Sequence, residues 1–134
     1  MAVDVHWLDE EQSILVFVYP SQFVIEEMIE SQDTGLDYLE KSDGPIVSIL
    51  DLSHVKTIPR QPLGRVPEMG RHPVHAHPNN AHTVVIIASP LLVRFAEVYK
   101  LYMNFRIVED MEQAAELARE RLAKGASPLD KPAD

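Results

Sequence analysis

The chain contains no cysteine. Disulfides, thiolate nucleophiles and Cys-type zinc sites are therefore excluded, and the absence fits a reducing compartment. Glycine is sparse: five are scattered along 134 residues, and neither G-x-G-x-x-G nor G-x-x-x-x-G-K-(S/T) occurs. No backbone cradle for a nucleotide phosphate is encoded. Positive charge is sparse too, with 12 Lys and Arg against 21 Asp and Glu and a formal net charge of −9 at pH 7. Such a surface repels nucleic acid and anionic membranes, so neither is an expected partner. No apolar run approaches the ~20 residues of a membrane span. The opening "MAVDVHWLDEEQ" is too acidic and too interrupted for a secretory signal. A cytoplasmic location is expected. Catalytic signatures are missing as well: there is no G-x-S-x-G elbow, no H-E-x-x-H and no distinctive carboxylate pair. The chain reads as non-catalytic, with no cofactor.

What is present is 46% apolar sequence. A chain of this length buries roughly 65–70% of its unfolded surface and needs no metal or disulfide to hold a core. One domain is expected over residues 1–125, with "ASPLDKPAD" (126–134) as a flexible polar tail. "VDVHW" alternates apolar and polar residues and predicts an edge strand, with Trp7 facing either a dimer interface or the end of the sheet. "ILVFVY" (14–19) is a continuous apolar run and predicts a strand buried on both faces, paired with the first as a hairpin. Ile25, Met28, Ile29, Gln32, Leu36 and Leu39 share one helical face, with Ser21 as N-cap. "IVSILD" (46–51) and "TVVIIAS" (83–89) predict two further buried strands. Between them a proline-rich connection allows only a short or irregular helix from Pro62, with Leu63, Val66 and Met69 on its apolar side. Ser89 and Pro90 open a helix whose buried face is Leu91, Leu92, Phe95, Val98, Tyr99 and Tyr102. "FRIV" (105–108) is a short last strand. Asp110 and Gln113 form a capping box for a final helix with Met111, Ala114, Ala115, Ala118 and Leu122 inward. Strands alternating with helices imply a mostly parallel sheet.

At "IVSILDLSHVKTIP" an apolar strand ends in Asp51 and is followed by Leu52, Ser53, Val55 and Ile58. This resembles the STAS domain of sulphate transporters and anti-sigma-factor antagonists. There a central strand runs into a D-L-(S/T)-x-V-x-x-(I/L/M)-D-S-(S/T)-G loop whose hydroxyl is phosphorylated by a partner kinase. The element order is similar over nearly the whole chain. The resemblance implies a single-domain α/β fold with a mixed sheet of about five strands, an N-terminal hairpin, then alternating strands and about four helices. It also implies a protein partner, such as an anti-sigma factor or related regulator. The departure lies at the modified position, where this chain has Pro59, Arg60, Gln61 and Pro62. No phospho-acceptor carries over. A regulatory module without the usual phosphorylation switch is therefore expected.

Candidate binding residues cluster in and beside one segment. From Lys56 to His82 the only acid is Glu68, against Lys56, Arg60, Arg65 and Arg71. That basic segment of an acidic chain suits a protein partner or, as the alternative reading, a small-ligand or anion sensor. Asp51, Ser53, Arg60, Arg65, Arg71, His72 and His75 are the residues to which the site is assigned. "RHPVHAHPNNAH" (71–82) holds four of six histidines. Imidazoles ligate transition metals, but this spacing fits no rigid template, and Pro73 and Pro78 favour a polar loop. No metal ligands are assigned. A second copy of the chain is a further candidate partner.

Overall fold

The computed structural model describes residues 3–57, 62–101 and 103–124. The elements run β1 (Asp4–Trp7), β2 (Ile14–Val18), α1 (Ile25–Lys41) and β3 (Ile46–Asp51), then a 3-10 turn (Pro62–Arg65) leading into α2 (Val66–Gly70). A second 3-10 turn (Pro73–His75), β4 (Asn80–Ile86), α3 (Pro90–Tyr99), β5 (Arg106–Val108) and α4 (Met111–Ala123) follow. The five strands form one sheet in the order β1-β2-β3-β4-β5. β1 is antiparallel to β2 and the other pairs are parallel. This is the mixed α/β architecture expected from the sequence.

Successive strand residues face opposite sides of the sheet, so each buried strand supplies two cores. Ile14 and Val16, Val47 and Ile49, and Val84 and Ile86 point to one side, where Ala114 and Ala118 of α4 pack. Leu15, Phe17 and Ile46 point to the other side and meet Leu39 of α1. Val85 and Ile87 on that same side meet Ile25 of α1, Met69 of α2, and Ala96 and Tyr99 of α3. One helix thus covers one face, and three cover the other.

The β1–β2 hairpin is closed by Asp9. Its carboxylate accepts from the backbone N–H groups of Ser13 and Ile14, both at 3.0 Å, and from the Ser13 hydroxyl. Burial opposes ionisation here, but these bonds outweigh it and hold the carboxyl below its ordinary pKa. Trp7 stacks edge-on against Tyr38 of α1 with ring centroids 5.3 Å apart, so it caps the sheet end.

Several local expectations are corrected. β4 begins at Asn80 rather than Thr83, which puts His82 inside a strand and fully buried. The Ile46 N–H donates to the Asn79 carbonyl at 2.7 Å, which extends the ladder upstream, and a register shift then aligns His82 with Val47. α1 starts at Ile25, and Ser21 does not cap it. The Ser21 carbonyl instead accepts from Lys56 and Thr57 backbone N–H groups, and Glu27 Oε1 receives the Val24 N–H at 2.9 Å. Ser89 occupies the N-cap of α3, but its hydroxyl makes no capping bond. Asp110 does cap α4, accepting from the Gln113 N–H at 2.9 Å. Leu91, expected inside, is 65% exposed; Val93 is packed in its stead. Tyr102, Ile58, Pro59, Arg60, Gln61, the side chains of Leu63 and Val66, and the tail assigned to 126–134 lie outside the described residues.

Candidate functional site

In a largely parallel sheet the carboxyl ends of the strands collect loops and helix starts on one edge. At this edge β3 ends in Asp51, which is buried. Its Oδ1 accepts from the Ser53 N–H at 2.9 Å and the Ser53 hydroxyl at 2.6 Å. This is an Asx-type turn: the carboxylate replaces a backbone acceptor and fixes the loop. Ser53 and His54 stand exposed on top of it. The loop is tied on both sides, since Leu52 N–H donates to Ile86 O at 3.0 Å and Lys56 N–H to Ser21 O at 2.9 Å. Flanking it are two exposed apolar residues, Val24 at the N-cap of α1, 53% exposed, and Leu91 in the first turn of α3, 65% exposed.

The assigned basic residues do not converge. Arg65 donates from Nε and Nη2 to the two Glu68 carboxylate oxygens at 2.8 and 2.9 Å, and from Nη1 to Glu26 at 3.0 Å. The hydrogen bonds from Arg65 hold Glu68 below its ordinary pKa. Its guanidinium thus pins α2 to α1, and little of its charge is left for an anion. Arg71 is exposed and makes no ion pair among the described residues, and Arg60 lies outside them. His72 Nε2 meets Asp33 of α1 at 2.7 Å, while its Nδ1 accepts the Val74 N–H. His77 Nδ1 accepts from Asn79 N–H at 3.1 Å. His82 is in the sheet. Among the described residues no three His, Asp or Glu side chains gather around one point.

His75 turns inward, to a place the sequence did not mark. Between the sheet, α1 and α3 lies a cavity of about 110 Å³. Its wall is apolar and aromatic, including Phe17, Phe95 and Phe105. Ser48 of β3 and Thr83 of β4, register partners in mid-sheet, line its floor. Gln32, Asn80 and Tyr99 also line it, and Gln32 Oε1, Asn80 Oδ1 and the Tyr99 hydroxyl are buried without a hydrogen-bond partner among the described residues. The Gln32 amide orientation follows from its neighbours. Its Nε2 donates to the Met69 carbonyl at 3.0 Å and lies 2.9 Å from His75 Nε2, which leaves Oε1 as the unbonded end. Tyr19 lies alongside, its hydroxyl 2.7 Å from Ser31 Oγ. Burial pushes the Tyr19 phenol up to about 12, and burial and the nearby Tyr19 raise Tyr99. One sequence signal pointed here: Gln32 is the polar member of an otherwise apolar helical face.

The architecture is a STAS-like fold, and comparison with solved structures agrees. An anti-sigma-factor antagonist (STAS) domain protein from Planctomyces limnophilus superposes with a TM-score of 0.61 at 14% identity, over 89% of this chain and 99% of that one. An uncharacterised protein with a SpoIIAA-like fold from Shewanella loihica PV-4 has the same TM-score and identity, over 87% and 94%. No family model and no curated protein matches the chain. At these identities the likeness is one of fold.

Proposed function

We propose that the chain is a non-catalytic regulatory module that binds a protein partner at the strand-end edge. The observation that carries this reading is the pair of exposed apolar residues, Val24 at the N-cap of α1 and Leu91 in the first turn of α3, on helices that follow the two strands beside β3 and its Asp51–Ser53 turn. Exposed apolar side chains rimmed by polar ones suit a protein surface better than water. The exposed Ser53 supplies part of the polar rim. The partner is an anti-sigma factor or a related regulator, in keeping with the STAS-like fold. No hydroxyl occupies residues 59–62, so the module acts without the usual phosphorylation switch. It works in the cytoplasm, without nucleic acid or membrane, and no described helix is long and apolar enough to cross one.

Calorimetric titration with anti-sigma factors encoded beside this chain tests the reading. Binding that a Val24→Asp, Leu91→Asp double variant weakens by more than about tenfold supports it, since each exposed apolar anchor is worth on the order of 1 kcal/mol or more. Binding untouched by the double variant moves the surface elsewhere. Phosphate placed on Ser53 or Thr57 by a cognate kinase overturns the unswitched reading.

A further inference from the structure

The cavity beneath α1 and α3 reaches up to that edge, where Leu52, Val55 and Leu92 line it. A cavity of about 110 Å³ is somewhat smaller than the roughly 150 Å³ engineered void that admits benzene. It therefore fits a single ring or a short branched chain. Among the described residues its lining includes no Lys, Arg, Asp or Glu. A charged guest loses its hydration there with no counter-ion, so the guest is uncharged.

The polar groups define the rest. Three residues of the cavity lining each carry a buried polar atom with no hydrogen-bond partner among the described residues: Gln32 Oε1, Asn80 Oδ1 and the Tyr99 hydroxyl. Asn80 and Tyr99 are each 4% exposed, so bulk water does not serve them. Two of the three are pure acceptors, which a guest satisfies only by bringing a hydrogen on oxygen or nitrogen. The native side chains also hold the space open. At the Ser48–Thr83 pair the sheet carries two small residues, flanked on the same face by Ile46, Leu50 and Val85. Both remain partly accessible in mid-sheet, because they border the void.

We propose that this cavity is a binding site for an uncharged, ring-sized apolar molecule carrying a hydroxyl or N–H donor, with Gln32 Oε1 and the Tyr99 hydroxyl engaging that donor. The apolar walls supply affinity and the buried acceptors supply orientation.

The test uses phenol and toluene, which share shape and differ in the hydroxyl. Each is titrated into the full chain while backbone and methyl NMR shifts are followed. The expected result is saturable phenol binding, with the largest shifts at Val74, Val85 and Leu50. Thr83→Leu on the sheet and Ala96→Leu on α3 fill the void from opposite sides, and either abolishes saturation in a folded protein. Tyr99→Phe and Gln32→Leu each lower the phenol-to-toluene affinity ratio by about fivefold, the share of one neutral hydrogen bond. Absence of saturable binding up to the solubility of both probes overturns the site, as do shifts centred elsewhere on the native protein. Phenol binding that persists in both filled variants also overturns it. An affinity ratio unchanged by both polar variants overturns the role of Gln32 and Tyr99.

Discussion

The two faces of the sheet are built from the same strands and are packed differently. Under α4, Val47, Ile49, Val84, Ala114 and Ala118 are all fully buried, and the small alanines bring the helix close to the sheet. Under α1 and α3, the alternate residues of the same strands include Ser48 and Thr83 and border a partly open cavity of about 110 Å³. At about 24 cal/mol per Å³, an empty void of that size costs about 2–3 kcal/mol. That is a large fraction of a typical domain's stability of about 5–15 kcal/mol. One face holds the fold together, and the other gives up stability for a space lined in part by Gln32, Asn80 and Tyr99.

The sharpest way to break this contrast is to truncate neighbours on β3. Ile49 faces α4 and is fully buried, while Leu50 faces the cavity and is half-buried. Ile49→Ala is expected to cost about 3–5 kcal/mol in urea denaturation, because a new void opens in dense packing. Leu50→Ala enlarges an existing void and is expected to cost less than half as much. Equal losses would mean that both faces are packed alike.

The faces differ in how far they could be read in advance. Strand and helix order followed from apolar runs and periodicity, because those patterns arise from burial itself. Asp110 was legible as a cap because its partner Gln113 is local. Ser21 was not, because its carbonyl is taken by Lys56 and Thr57, which the chain brings back only after β3. His82 looked like one more loop histidine until the ladder from Ile46 to Asn79 drew it into β4. The Asp51 turn was legible as a motif, whereas the Arg65 pairing with Glu26 depends on α2 docking on α1. The void itself leaves almost no trace. Ser48 and Thr83 are ordinary strand residues one at a time, and only the register of β3 with β4 sets them side by side.

Enlarging side chains should separate the faces in the opposite sense. Ala118→Leu forces a branched side chain between α4 and the sheet and is expected to cost about 1–3 kcal/mol. Ala96→Leu points a similar volume into the cavity and is expected to stay within about 1 kcal/mol of the parent, with either sign. Thermal denaturation of the two variants side by side checks this.

A smaller effect concerns the polar groups of the cavity face. Ser31 Oγ donates to the Met28 carbonyl at 2.6 Å, so the Tyr19 phenol is the donor in its 2.7 Å bond to Ser31. Tyr19→Phe removes that bond and is expected to cost about 0.5–1.5 kcal/mol. Because the folded phenol titrates at about 12 against an ordinary 10.0, the folded state keeps a proton that the unfolded chain releases. The stabilisation is complete below pH 10 and is lost as pH rises through 12. Denaturation midpoints measured from pH 8 upward should therefore fall more steeply in the parent than in Tyr19→Phe.

The smallest expected change is also the most diagnostic. Gly35 is buried in α1, and a Cβ there would lie 3.1 Å from Phe17 Cζ and 3.6 Å from Val74 Cγ2. Alanine gains about 1 kcal/mol of helix propensity over glycine. Whether that gain survives depends on Phe17 moving by a few tenths of an ångström. The Phe17 ring borders the void, so it has somewhere to go. Gly35→Ala is expected to leave stability within about 0.5 kcal/mol of the parent, propensity and crowding nearly cancelling. A loss of 2 kcal/mol or more, on the scale of overpacking a dense core, would mean that the ring is held fast. The cavity face would then be as rigid as the α4 face, and the space beneath α1 too stiff to adjust to a guest.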